Sequence, residues 1–224
     1  MKVQRGLPIL FALGGALGGT SCADIASPTR SQVFEWRRIV PTGPGTADTL
    51  SFRWPRSRLP VRIWAEDLLD LPAHVQHGIG QWKAAFLYGE FDGVMVPDSN
   101  VADVVVRVGP PDKGGFSVTR LASAFAPECE GGTDFTIPAG SREIQPPIHI
   151  FLNPRVDPSS PGFEACMDLT ATHELGHAIG ILNHSADPAD IMYGDPVVPV
   201  LSERDRATAE LAYHTEPTLT VGPR

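Results

Sequence analysis

Between Leu71 and about Tyr88, apolar residues recur at spacings of three and four, at Val75, Ile79, Trp82 and Phe86. That period predicts an amphipathic helix, with Pro72 in the first turn, where its missing N–H costs nothing. A second helix is predicted from Phe163 to Ile179, stopped at Gly180. A third runs through Tyr213, opened by Ser202-Glu203-Arg204-Asp205 as the Asp form of a capping box. Strands are predicted where apolar and polar residues alternate or where β-branched residues run together. These are Leu59 to Trp64, Val101 to Val108 around its Val-Val-Val centre, Leu121 to Phe125, and Ile148 to Leu152. From residue 24 to 58 neither period is sustained, and runs such as Pro41-Thr42-Gly43-Pro44-Gly45 read as a tether and lead-in segment. Four or so strands and three helices with no internal repeat predict an α+β fold.

Composition narrows this picture. At 224 residues the chain has room for one ordinary domain with a leader and a tail. With 42% hydrophobic and 20% charged residues it is neither disordered nor a coiled coil. Its 22 Gly and 22 Pro argue against an all-helical bundle. A net charge of -8 repels phosphate backbones, so no nucleic-acid partner is expected.

The first residues follow the grammar of an export signal. Lys2 and Arg5 precede an uncharged apolar run, Gly6 to Leu17, which ends in small residues before Cys22 and Ala23. That run is too short for a span of roughly 20 residues, so the only membrane attachment expected is a lipid anchor at Cys22. Two outcomes stay open: lipidation of Cys22, or cleavage after Ala23 that removes it. Gly19 stands where lipoprotein signals usually carry Leu. Either way the chain is exported, to the bacterial envelope or the medium, and Cys129 and Cys166 remain as an even pair suited to an oxidising compartment. A bond between them closes a loop whose restraint contributes about 4 kcal/mol in the chain-entropy account; the alternative is two buried free thiols. The segments are then a signal peptide at 1–22, a tether and lead-in at 23–58, a catalytic domain at 59–216 and a tail at 217–224.

The chemistry concentrates at His173-Glu174-Leu175-Gly176-His177. Residues four apart share a helix face, so both imidazoles can reach one ion. A zinc ion held by neutral nitrogens, with one position left to water, lowers that water's pKa to about 7. Glu174, adjacent in sequence yet off the ligand face, is placed to take the proton as general base. Gly180 follows three residues later, where a left-handed residue turns the chain back, and His184 comes next. Asp190-Ile191-Met192-Tyr193-Gly194 then supplies a methionine within a turn.

Together these residues resemble the metzincin clan of zinc endopeptidases, and within it the matrixins, whose pattern is His-Glu-x-x-His-x-x-Gly-x-x-His followed by a Met-containing turn. The third histidine of that pattern falls on Asn183, and His184 arrives one residue late. His184-Ser185 matches the His-Ser that closes the matrixin pattern, which implies a one-residue insertion in the turn after Gly180. The competing reading puts Asn183 in the ligand place, with weak metal binding or none.

The resemblance covers roughly residues 59 to 214. It implies a zincin-like domain: a twisted mixed sheet of about four to five strands, three main helices, and a cleft between a larger N-terminal and a smaller C-terminal subdomain. It implies that Leu121, Ala122, Ser123 and Ala124 lie in the edge strand that pairs with peptide substrate, and that Met192 packs beneath the metal without ligating it. Ser123 stands where matrixins carry a histidine of a second, structural zinc site, so one zinc is expected although His149 resembles another ligand of that site. Calcium is possible, since Asp134, Asp157, Asp187, Asp190 and Asp195 are predicted in loops, but no loop has the spacing of a calcium motif. His74 and His77 are expected to be solvated on their helix. His214 is expected to act as a charge at a helix C-terminus. The function expected is a monomeric zinc endopeptidase acting on peptide or protein substrates. The rival is a catalytically silent binding lipoprotein of the same fold.

Overall fold

A hairpin opens the described chain, formed by β1 (Arg38–Gly43) and β2 (Thr46–Leu50), which pair antiparallel with Arg38 opposite Leu50. The computed structural model describes residues 32–110 and 129–222. Beyond the hairpin come β3 (Val61–Ala65), α1 (Leu71–Ala85), β4 (Gly93–Met95) and β5 (Val104–Val108). They are followed by β6 (Cys129–Thr136), β7 (Glu143–Pro154), α2 (Phe163–Ala178), α3 (Glu203–Tyr213) and β8 (Thr220–Val221). The main sheet runs β4-β3-β5-β7-β6; the first four are parallel, β6 is antiparallel to β7, and β8 pairs with the start of β7. The chain is therefore α+β, with a mixed sheet and three helices among the described residues. None of these helices is long and apolar enough to cross a membrane.

Strand alternation builds the core. Val61, Ile63 and Ala65 of β3 are buried, whereas Arg62 and Trp64 are half-buried on the opposite face, as the two-residue period of a pleated strand requires. Leu71, Val75, Ile79 and Trp82 of α1 are buried with them. Trp82 also donates from Nε1 to the Thr172 carbonyl at 2.8 Å, tying α1 to α2. From Thr170 to Ala178, α2 is buried all round, so this stretch has no amphipathic stripe and owes its place to packing on every side. α3 begins with the predicted box: Ser202 accepts from the Asp205 amide and Asp205 from the Ser202 amide.

Several expectations need correcting. Of the stretch read as tether and lead-in, the described part from residue 32 is built into the domain, because Trp36, Phe52 and Trp54 are core residues and Trp54 donates from Nε1 to the Ala178 carbonyl at 3.0 Å. Residues 217–222, read as a tail, carry buried Leu219 and strand β8, and Arg58 donates to the Gly222 carbonyl. His74 is buried, not solvated, and pairs with Asp168 of α2 at 2.7 Å; His77 is exposed beside Gln81. His214 caps α3 and meets Glu90 at 3.3 Å. The strand expected at Leu121 to Phe125, with Leu121, Ala122, Ser123 and Ala124, lies outside the described residues, as does Cys22. Cys166 is disulfide-bonded; the side chain of Cys129 lies outside what is described.

Candidate metal centre

The helical repeat sets His173 and His177 one turn apart on α2, and the chain then reverses to bring up a third imidazole. The reversal is local chemistry. The Ile181 amide donates to the Gly176 carbonyl at 3.0 Å and the Gly180 amide to the His177 carbonyl at 2.9 Å, a Schellman-type ending. Gly180 has φ +123, and a Cβ there would lie 2.2 Å from the Phe52 carbonyl oxygen, so glycine is required both for conformation and for space. In the same turn Asn183 donates from Nδ2 to the Glu35 carbonyl at 3.2 Å. His184, not Asn183, completes the cluster.

The three Nε2 atoms are separated by 3.1 Å (His173–His177), 3.3 Å (His173–His184) and 3.3 Å (His177–His184). Two ring tautomers follow from the backbone. His173 donates from Nδ1 to the Ile191 carbonyl at 2.6 Å, and His177 from Nδ1 to the Ile181 carbonyl at 2.6 Å. With those protons committed to Nδ1, the Nε2 atoms of both rings are bare lone pairs facing each other. Converging lone pairs repel unless a cation sits among them. A tetrahedral ion bonded to nitrogen at about 2.05 Å has ligand-to-ligand edges of about 3.35 Å, close to the triangle observed. The trio can therefore hold a metal ion.

Burial keeps these imidazoles neutral. It is the main cause holding His173 down to about 3 and His184 to about 4, with His177 well below its ordinary value; the Arg38 charge adds to the effect at His184 and His177. Glu174 moves the other way. Burial and then the charge of Asp134 push it up to about 8, against a hydrogen bond from Thr133 that lowers it. Thr133 of β6 donates from Oγ1 to Glu174 Oε2 at 2.7 Å. Gly131 makes the space, since a Cβ there would lie 2.6 Å from Glu174 Oε1 and 2.7 Å from Thr170 Cγ2.

The floor of the centre is equally specific. Met192 is fully buried, and a Cβ on Gly176 would lie 2.3 Å from its Sδ and 2.7 Å from Trp82 Cζ2. Asp205 holds the turn that carries it, accepting from the Ile191 amide at 2.9 Å and the Met192 amide at 3.3 Å while capping α3. Ile191 is the residue whose carbonyl fixes the His173 ring, so one carboxylate orients both turn and ligand. Of the loop acids, Asp187 and Asp190 pair with Arg204 at 2.9 and 2.6 Å, and Asp157 accepts from Ser159. Sequence reasoning missed Gly131, Thr133 and Arg38 altogether, and found Asp205 only as a capping residue. Asp205 alone carried a local signal.

The metal-free chain has a defined pH response. Unfolded imidazoles protonate near 6.5, and the folded ones resist until about pH 4 or below, so the unfolded state binds more protons in that window and stability falls as pH drops through it. Glu174 acts oppositely: its contribution is full below about 4.5 and lost as pH rises through about 8. Three histidines against one carboxylate give a net loss on acidification. The urea midpoint of chelator-treated protein is expected to fall from pH 7 to pH 5; an unchanged midpoint contradicts the buried, neutral assignment.

No protein-family model matches this chain, and no curated protein matches it either.

Proposed function

We propose that the chain is an exported zinc-dependent endopeptidase with a matrixin-like, metzincin-type catalytic domain. The observation that carries this reading is the triangle of Nε2 atoms, two of them deprotonated by backbone hydrogen bonds, beside a buried glutamate. Three neutral imidazoles are the ligand set of a catalytic zinc site with one open position. His173, His177 and His184 hold the ion. Zinc supplies a Lewis acid that polarises a carbonyl and renders water nucleophilic near neutral pH.

The protein's own residues do the rest. Glu174, whose Oε2 is engaged by Thr133, takes a proton from the attacking water on Oε1 and returns it to the leaving amine. A carboxyl with raised proton affinity suits both transfers. The carbonyls of Ile191 and Ile181 keep the rings aligned, and Met192 fills the space under them. In this reading the leader ending at Cys22 directs export with or without a lipid. The parallel strands β4, β3, β5 and β7 with antiparallel β6 beside them, together with the turn through Met192, support the metzincin comparison.

The test is digestion of a peptide library by the zinc-loaded mature chain, with fragments identified by mass spectrometry. Cleavage is expected, abolished by a chelator and restored by stoichiometric zinc. One zinc per chain without peptide cleavage would move the assignment to a silent binding module, and hydrolysis confined to an ester panel would move it to another class of hydrolase.

A further inference from the structure

We propose that the sheet face turned away from α1 and α2 carries a binding pocket for a phosphate ester, separate from the metal centre and independent of the peptidase reading. Strand alternation sets its place. Val61, Ile63, Val104, Val106, Ile148 and Ile150 belong to the core shared with α1 and α2, so Arg62, Val105, Arg107 and His149 belong to the opposite face. The pairings Trp64↔Val105 and Val105↔His149 set those three residues in one row across β3, β5 and β7. Arg62 stands two residues before Trp64 on its strand, and Arg107 two residues after Val105 on the next. Arg107 leans over the row, with Cζ 5.9 Å from the centre of the Trp64 ring. Arg58 ahead of β3 and the turn from Ser99 to Ala102 close the sides of a cavity of about 450 Å³.

Three guanidinium groups and one carboxylate line this cavity, in a chain whose net charge is -8. The carboxylate, Asp103, is buried and its lone pairs are taken. It accepts from Arg58 Nη1 at 2.9 Å, from the Arg62 amide at 2.9 Å, and from Arg62 Nε and Nη2 at 3.1 and 3.2 Å. Arg62 spends two of its five side-chain N–H groups there. The other three have no partner among the described residues, on a side chain that is 30% exposed. Arg107 is exposed at the rim and has no carboxylate partner among the described residues. Ser99 and Asn100 line the cavity as neutral donors, and Asn100 gives only one Nδ2 proton to Asp98. Like charges gathered in one pocket repel, and an anion among them turns that repulsion into attraction. The forks come from separate segments and approach from different directions. That arrangement suits the three acceptor oxygens of a phosphate ester, which carries about -1.5 to -2 near neutral pH, better than the single plane of a carboxylate. The cavity is on the scale of small-molecule sites, roughly 300–1,000 Å³, and larger than one bare anion fills. Val105, Pro146 and Pro147 give it an apolar wall, against which the sugar or glycerol body of the ester rests. A soluble ester and a lipid headgroup share this chemistry.

The experiment titrates the mature chain by calorimetry with glucose phosphate, glucose sulfate, glucuronate and glucose, and by co-sedimentation with phosphatidylcholine vesicles with or without phosphatidic acid. Glucose phosphate is expected to bind at least tenfold tighter than the sulfate or the uronate, and to raise the thermal midpoint as its concentration rises. Arg107→Gln breaks no ion pair and is expected to weaken binding fivefold or more. Arg62→Lys keeps the charge, loses the fork, and is expected to weaken it by a similar factor. Phosphate is also a ligand for zinc, so the titration is repeated on chelator-treated chain and on His184→Ala, and both are expected to bind glucose phosphate as tightly as the parent. Retention on phosphatidic acid vesicles that glucose phosphate fails to displace identifies a headgroup as the ligand; binding of glucose phosphate without vesicle retention identifies a soluble ester. No binding, equal binding of the four sugars, preference for glucuronate or the sulfate, dependence on zinc or His184, or affinity unmoved by Arg107→Gln each overturns the proposal. None of these results bears on peptide cleavage, which stands or falls on the digestion experiment.

Discussion

Glu174→Gln is expected to lower turnover by about 10²–10⁴-fold, the range that a positioned general base contributes, while one zinc per chain is retained. The argument begins with shape. Gln has nearly the volume of Glu, so the space left by Gly131 and the bond from Thr133 Oγ1 can both persist. Glu174 is not among the converging nitrogens, so metal content has no reason to change. What the amide lacks is a site to accept and return a proton. Burial already pushes the native carboxyl up to about 8, so replacing it with a permanently neutral group adds no desolvation cost, and the thermal midpoint of the metal-free variant is expected to equal or exceed that of the parent. Loss of turnover with zinc and stability intact assigns Glu174 to proton transfer. Turnover unaffected by the change would remove it from the mechanism, and loss of zinc together with turnover would make it part of the metal site.

How much of this was readable in the sequence depends on how local each determinant is. The helices were legible to within a few residues, because Val75, Ile79, Trp82 and Phe86 mark a stripe and Ser202 with Asp205 marks an end. The histidines on α2 were legible as a motif, but periodicity could not have found that part of the helix, since Thr170 to Ala178 is buried on every side. Strand β6 was not legible. Its Gly131-Gly132 reads as a turn, and the reason for Gly131 lies in Glu174 and Thr170, some forty residues away. The burial of His74 depends on Asp168 in another helix, 94 residues along. Proline and glycine in β1 concealed a hairpin whose neighbours Trp36, Phe52 and Trp54 belong to the core. Each miss is a residue whose environment is assembled from distant chain.

The place of His184 in the nitrogen triangle leads to the other large effect. His184→Ala is expected to cost more than the 10–100-fold in metal affinity typical of losing an outer-sphere partner, because it removes one corner of the nitrogen triangle itself. Zinc measured by elemental analysis after gel filtration should fall well below one per chain. Asn183→Ala should retain its zinc, since Asn183 spends its amide on the Glu35 carbonyl and contributes nothing to the cluster. Its cost lies elsewhere: one tie between the loop and the stretch before β1 is lost, leaving the Leu182 amide bond to the Trp36 carbonyl, so a lower thermal midpoint with full metal content is the expected signature. The opposite pair of results, zinc kept without His184 and lost without Asn183, would restore the unshifted pattern and place the extra residue after the third ligand. The geometry also fits the one-residue insertion that the matrixin resemblance implies. Gly180 ends α2 with its carbonyls satisfied, and from there the chain is held by Trp36 on one side and by the Ser185 amide bond to the Met192 carbonyl at 2.7 Å on the other. A residue added between those two anchors lengthens a loop without moving α2 or the turn beneath it, which are the parts that fix the other two rings.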